Sequence, residues 1–449
     1  MAVGDSHDGP VKYRDGWDII QKIFLGFGQE YGNGRFQPAL DLLTARSGQN
    51  IVFPWLRKFK EGDSMKRRHF LSIAGATASA GWAAPASALS RSFQAPNTAG
   101  GRLLVDFSVD GLGLTPREYA ADLAALAEDS SIEIDSYSLG GTVAKLEQRF
   151  AALLGKERAI FVPTGTLANH LAVRKLAGMD RRVLLQAESH LFNDCGDCAS
   201  LLSGLTLIPL VAGRSTFTVK DVEPWVARTA GGRVESRIGV ILIESPVRRL
   251  YHQVFDFAAM RAVCAFARDR GIRLHLDGAR LFNVPFHTGR SVQEVTGFFD
   301  TVYVSLWKCF NAASGAILAG SAGTIDGLFH TRRMFGGSLA QAWPVMAVAL
   351  KYVAGYPESY AQAWSRATRF LSLLQGEPGF GFERVPNGTS AFKLILRRGD
   401  ASAFATRLRT RGAILPHPDG DPPVFRMIVN PSLNRVDPEE LAHDFLGAL

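Results

Sequence analysis

The chain is poor in the features that mark several protein classes. It holds only four cysteines in 449 residues, too few to staple a chain of this size, so a disulfide-framed fold is excluded. No apolar run reaches the roughly 18 residues that a membrane span requires. No long Lys/Arg run lies beside interleaved aromatics, which argues against a nucleic-acid partner. The excess of basic residues is small, 50 Lys and Arg against 42 Asp and Glu. A net +8 spread over this length concerns solubility and gives a slight pull toward anions. No internal repeat is present. What remains is ordinary globular composition, 47% hydrophobic and 20% charged, in a chain long enough for two or three domains with a large core.

The first hundred residues differ from the rest. Residues 65–90 read MKRRHFLSIAGATASAGWAAPASALS. A basic start at Lys66, Arg67 and Arg68 precedes an apolar stretch from Ile73 to Ala84, then Ala86-Ser87-Ala88, a small-x-small cleavage pattern. Arg67-Arg68-His69-Phe70-Leu71 resembles the twin-arginine motif of exported folded proteins. Residues 1–64 show no sustained helical or strand period. The expectation is that Met65 is the true start, that 1–64 is upstream sequence, and that 65–88 is a signal, leaving the protein periplasmic or exported. If the 1–64 extension is genuine, a cytoplasmic location is expected instead.

From residue 159 apolar runs alternate with helical periods. The expected strands are Ala159–Pro163, Val183–Gln186, Leu205–Val211, Ile238–Glu244, Ile272–Leu276, Thr301–Leu306 and Ala316–Leu318. Pro209 marks the third as an edge strand. Helices are expected at 167–178, 219–229 and 255–270. Continuous β-branched runs between helices imply strands buried on both faces and a largely parallel sheet. Residues 89–350 read as a large α/β domain and 351–449 as a smaller α+β domain, with Pro and Gly punctuation at 378–387 and 415–423.

Ligands of such sheets sit beyond the carboxyl ends of the strands. The polar residues there are Thr164, Glu244, Asp277 and Lys308. Pro163-Thr164-Gly165-Thr166 opens a helix, where free N–H groups and two hydroxyls suit a phosphate, as they would also suit a plain cap. Asp277 could ligate a metal, cap a helix or pair with a cation. Lys308 lies in an apolar setting that would lower its pKa and make it a nucleophile toward carbonyls. Cys195-Gly196-Asp197-Cys198 has no second pair, so it reads as structural, with a local disulfide open to it in an oxidising compartment. His275 reads as a core or supporting residue, and Arg332-Arg333 is open between a solvated charge pair and a phosphate contact.

In this order, the segments LEQRFAALLGKERAIFVPTGTLANHLAVRKL (146–176), LHLDGARLFNV (274–284) and YVSLWKCFNAASGAILAG (303–320) resemble the threonine aldolase/aromatic amino-acid beta-eliminating lyase family. The resemblance implies a pyridoxal 5′-phosphate (PLP)-dependent transferase fold of type I, with a mostly parallel large-domain sheet and a small C-terminal domain. It implies that Lys308 holds PLP covalently and moves a proton at Cα, and that Asp277 pairs with the ring nitrogen. Gly165, Thr166 and Ser305 would contact the phosphate. His190, a candidate base, would stack on the ring. Arg280 would bond the ring's phenolic oxygen or the substrate carboxylate, and Arg426 would anchor that carboxylate. Arg333 would reach a neighbouring subunit's phosphate, implying a homodimer or homotetramer. The implied reaction cleaves a β-hydroxy-α-amino acid to glycine and an aldehyde.

The chain also departs from the family pattern. Glu-Asn-Thr-His reads Glu244-Ser245-Pro246-Val247 here, so Val247 replaces the histidine that holds the substrate hydroxyl. Gly-Gly becomes Tyr251-His252, a later Arg becomes Ala340, and Arg-Ser-Asp-Thr becomes Ser108-Val109-Asp110-Gly111. His252 is a candidate replacement base, against the plainer reading of a loop histidine. Loss of the hydroxyl-binding histidine keeps β-elimination or another PLP lyase reaction open, and a non-catalytic PLP-fold binding protein stands behind both.

Overall fold

The computed structural model describes residues 104–449, which lie within one compact unit. The expected signal at 65–88 and the segment 1–64 lie outside the described residues.

The described residues form twelve strands: β1 (Val105–Asp106), β2 (Arg158–Val162), β3 (Arg182–Gln186), β4 (Thr206–Leu210), β5 (Ile238–Glu244), β6 (Arg273–Asp277), β7 (Thr301–Ser305), β8 (Ala316–Gly320), β9 (Phe380–Arg384), β10 (Ala391–Leu396), β11 (Ala413–Ile414) and β12 (Val424–Ile428). The central sheet has the order β2-β8-β7-β6-β5-β3-β4. Strands β5, β7 and β8 are buried at every position, as continuous apolar runs covered on both faces require. Pro209 pairs with Leu185 on β4, at the sheet edge, where its missing N–H is harmless. The sheet is parallel except for β8, which runs antiparallel to both β2 and β7. The carboxyl ends of β2, β7, β6, β5 and β3 therefore share one edge.

Helices follow the strands. Gly165–Ala177 succeeds β2 and is capped by Thr164, whose Oγ1 accepts from the Leu167 N–H. Phe257–Arg268 precedes β6 and is capped by Asp256. The helix Tyr356–Leu374 leads into the C-terminal part, where β12, β10 and β9 form an antiparallel sheet. Strand β9 falls inside the stretch expected to be punctuation. Gly379 and Gly381 flank its start, while Phe380 and Phe382, two residues apart and so on one face, pack on Phe404 and Phe392.

The beginning of the described chain belongs structurally with its end. β1 pairs in parallel with β11, and the Phe107 ring packs on Phe370 and Phe445. This crossing brings the next residues, 108–113, back to the central sheet.

Candidate active site

Lys308 follows β7 by three residues, in the short helix Leu306–Cys309. It is 8% exposed, and its Nζ lies 4.5 Å from the centre of the Trp307 ring. Burial, reinforced by the Arg280 charge, lowers its pKa to about 8. The Lys308 carbonyl is covered by Gly111, where a Cβ would come within 2.4 Å of it. A cleft of about 500 Å³ opens beside it, lined by Asp110, Leu114, Tyr119, Trp307 and Asn311 among others.

Asp277 ends β6 and is 2% exposed. One carboxylate oxygen accepts from Asn169 Nδ2 at 2.6 Å and the other from the Ala279 N–H at 3.1 Å. Asn169 is held in turn by His275 Nε2 at 2.9 Å, and His275 Nδ1 meets Thr301 Oγ1 at 2.8 Å. Burial brings the His275 pKa down to about 4, so the imidazole in this relay is neutral. His275 is thus a supporting residue, as its place two positions before Asp277 suggests.

The turn after β2 forms the third corner. Gly165 has no room for a side chain, since a Cβ would lie 2.0 Å from Tyr303 Oη. The Thr164 cap occupies the Leu167 N–H, and the Gly165 and Thr166 N–H groups stay outside the helix ladder. Ser305 Oγ is fully buried and makes no hydrogen bond among the described residues. Unpaired donors and a positive helix terminus are what an oxyanion needs.

His190 is half-buried after β3, and burial lowers its pKa. Its backbone N–H donates to Glu244 Oε2 at 2.6 Å, and Glu244 Oε1 accepts from the Arg248 N–H at 2.8 Å. Glu244, fully paired at the end of β5, is therefore a clamp between two loops. His190 Nδ1 lies 3.3 Å from Cys195 Sγ. Cys195 and Cys198 are buried free thiols, and burial together with hydrogen bonding to Cys198 keeps Cys195 protonated.

The solvated-pair reading of Arg332 requires correction, and the ligand role of Arg280 is narrowed. Arg280 is buried, but its guanidinium is held by Asp110 in a two-point pair, Nε to Oδ1 at 2.7 Å and Nη2 to Oδ2 at 2.8 Å. Only the remaining face of Arg280 can serve a ligand. Arg332-Arg333 is not a solvated pair: Arg332 is fully buried and donates to the carbonyls of Phe161, Tyr137 and Ser138. Arg333 points outward, 4.9 Å from the Tyr137 ring, and makes no hydrogen bond to the cluster around Lys308.

Arg426 on β12 is half-buried, donates to the Arg248 carbonyl at 3.3 Å and lies 4.4 Å from the Tyr251 ring. Val247 is fully buried and carries no titratable group. His252 is no exposed loop residue. It is 1% exposed, with Nδ1 2.7 Å from Ser390 Oγ. Asn169, Asp110 and Ser390 are the site residues that sequence reasoning gave no role.

Residues 115–387 match the model of the beta-eliminating lyase family. A low-specificity L-threonine aldolase of Candida albicans is 29% identical over 217 residues, which cover 48% of this chain and 57% of that protein. The chain thus matches less than two thirds of that relative's length. A Listeria monocytogenes crystal structure, provisionally described as an L-allo-threonine aldolase, superposes with a TM-score of 0.64 at 25% identity, over 78% of this chain and 98% of the other. The PLP-bound serine palmitoyltransferase of S. paucimobilis shares the fold at a TM-score of 0.55 and 16% identity, over 77% and 86% of the two chains. With the type I PLP-enzyme fold and the family match spanning most of the described residues, the chain belongs to the beta-eliminating lyase family.

Proposed function

We propose that the protein is a PLP-dependent lyase that splits threonine-like β-hydroxy-α-amino acids into glycine and an aldehyde. The observation that carries this reading is the convergence on one sheet edge of a buried, pKa-lowered Lys308, the braced carboxylate of Asp277 and the open helix terminus at Gly165. The residues fit the cofactor. Gly165, Thr166 and the unpaired Ser305 hydroxyl would hold its phosphate, Asp277 its ring nitrogen, His190 its face and Lys308 its aldehyde carbon. PLP, when bound, supplies an electron sink for a carbanion at the substrate Cα.

The remaining work falls to the side chains. Arg426, with the open face of Arg280, orients the substrate carboxylate and so fixes which Cα bond stands ready to break. His190, neutral because it is half-buried, can accept the β-hydroxyl proton, a contribution of about 10²–10⁴-fold for a placed base. Lys308 Nζ returns a proton to Cα. Val247 leaves the hydroxyl without the family's usual partner, which supports β-elimination as the second reading.

The test is an absorbance spectrum of the protein purified with PLP beside Lys308→Ala, followed by product analysis with threonine. A visible band bleached by borohydride and missing in Lys308→Ala is expected, with glycine and acetaldehyde released. Absence of the band in both proteins refutes the PLP reading. Ammonia and a keto acid in place of glycine select β-elimination.

The exposed Arg333, Tyr137, Ile134 and Leu139 support a homo-oligomer in which Arg333 serves a neighbour's phosphate. The pattern at 65–88 supports export by the twin-arginine route. N-terminal sequencing of the native protein tests the latter, and a mature terminus upstream of residue 65 overturns it.

A further inference from the structure

Tyr251 and His252 adopt φ of 52° and 56°, the left-handed region that glycine occupies freely and residues with a Cβ avoid. Two consecutive bulky residues in that conformation call for a reason, and both side chains belong to the corner around Arg426 and Ser390. The Tyr251 ring packs on Arg426. The charges of Arg280, Asp110, Arg426 and Lys308 act on His252. Asp110 neutralises Arg280, and among the described residues Arg426 meets a backbone carbonyl and no carboxylate, so the corner keeps its charge. His252 is buried among these groups, which disfavours its protonation.

The hydrogen bonds behind the ring allow a tautomer that suits a ligand. Tyr356 Oη donates to Asn283 Oδ1 at 2.6 Å, which turns Asn283 Nδ2 toward Ser390 Oγ at 3.4 Å. Ser390 Oγ, 2.7 Å from His252 Nδ1, can accept from Asn283 and give its own hydrogen to that nitrogen. The proton of the neutral imidazole then sits on Nε2, which no described residue bonds. A neutral imidazole in this state offers a donor, which does not suit the base suggested by its place in the sequence.

We propose that His252 is a substrate-binding residue, donating from Nε2 to the carboxylate of the amino acid beside Arg426. This rests on the lyase reading above. It replaces the second donor that Arg280 cannot fully supply while Asp110 holds it. A hydrogen bond to a charged group is worth about ten- to a hundredfold in affinity.

The experiment is calorimetric titration of the PLP-loaded full chain with glycine and with glycinamide, which lacks the carboxylate. His252→Gly, whose backbone suits the left-handed turn, should weaken glycine about tenfold or more and leave glycinamide within twofold. His252→Gln, which keeps an amide donor, should recover part of the glycine affinity. Thermal unfolding of each variant checks the fold. Equal loss for both ligands, or unchanged glycine affinity in His252→Gly, overturns the proposal alone. Wild-type protein that binds neither ligand overturns the lyase reading and this proposal with it.

Discussion

Lys308 and Gly165 show how burial sets chemistry at single positions. An unburied lysine titrates near 10.4, whereas burial lowers the Lys308 pKa to about 8. Its uncharged amine is the reactive form, so the rate of PLP uptake by the unloaded protein should rise with pH and reach half its maximum near pH 8. A midpoint near 10 in stopped-flow absorbance would contradict this. The sign for stability follows by linkage. Between pH 8 and 10 the unfolded chain binds more protons than the native one at this group, so the unloaded protein gains stability there as pH rises. Gly165→Ala should destabilise by about 1–3 kcal/mol in urea unfolding and weaken PLP binding, because the added methyl meets Tyr303. Lys308, Asp277 and Thr164 were legible because each ends a continuous apolar run. Asn169 was not, since its bond to Asp277 joins positions 108 residues apart. The Cys195–His190 contact was equally hidden, because the loop geometry behind it leaves no periodic trace.

At the scale of elements, the Asp110–Arg280 pair joins the 108–113 segment to the turn after β6. Burial opposes ionisation of Asp110, and Arg280 overcomes it, leaving its pKa below the usual carboxylate value. Asp110→Ala should therefore cost about 3–5 kcal/mol in denaturant unfolding by stranding a buried guanidinium, and Asp110→Ala with Arg280→Met should recover much of it. The pair's stabilisation is present above about pH 4 and fades as pH falls through the lowered Asp110 pKa. The strands themselves were easy to read, β5 as an apolar run and β4 as an edge marked by proline. The antiparallel sense of β8 was not readable, because direction depends on the short return after Lys308 and leaves composition unchanged. Strand β9 was masked by glycines that the antiparallel sheet tolerates.

For the whole molecule, the joining of β1 to β11 means that the two ends of the described chain fold against each other. No alternation of strand and helix announces such a pairing, since it depends on contacts 308 residues apart. Ile134, Tyr137 and Leu139 are exposed, and the proposed oligomer would cover them with a second copy. Sedimentation of the full chain should give at least two chains per particle, and Arg333→Ala should lower PLP affinity without lowering the unfolding temperature of the unloaded protein. A monomer at micromolar concentration would remove the shared-site proposal.

The helix Gly165–Ala177 carries the open N–H groups at its first turn and Asn169, the brace of Asp277, one turn later. Four residues of helix advance about 6 Å. One rigid rod thus fixes the spacing between the groups proposed for the two ends of the cofactor, and on that proposal works as a gauge of its length. A shortened or lengthened phosphate arm cannot be met by adjusting one loop, because moving the rod to suit one end misplaces the other.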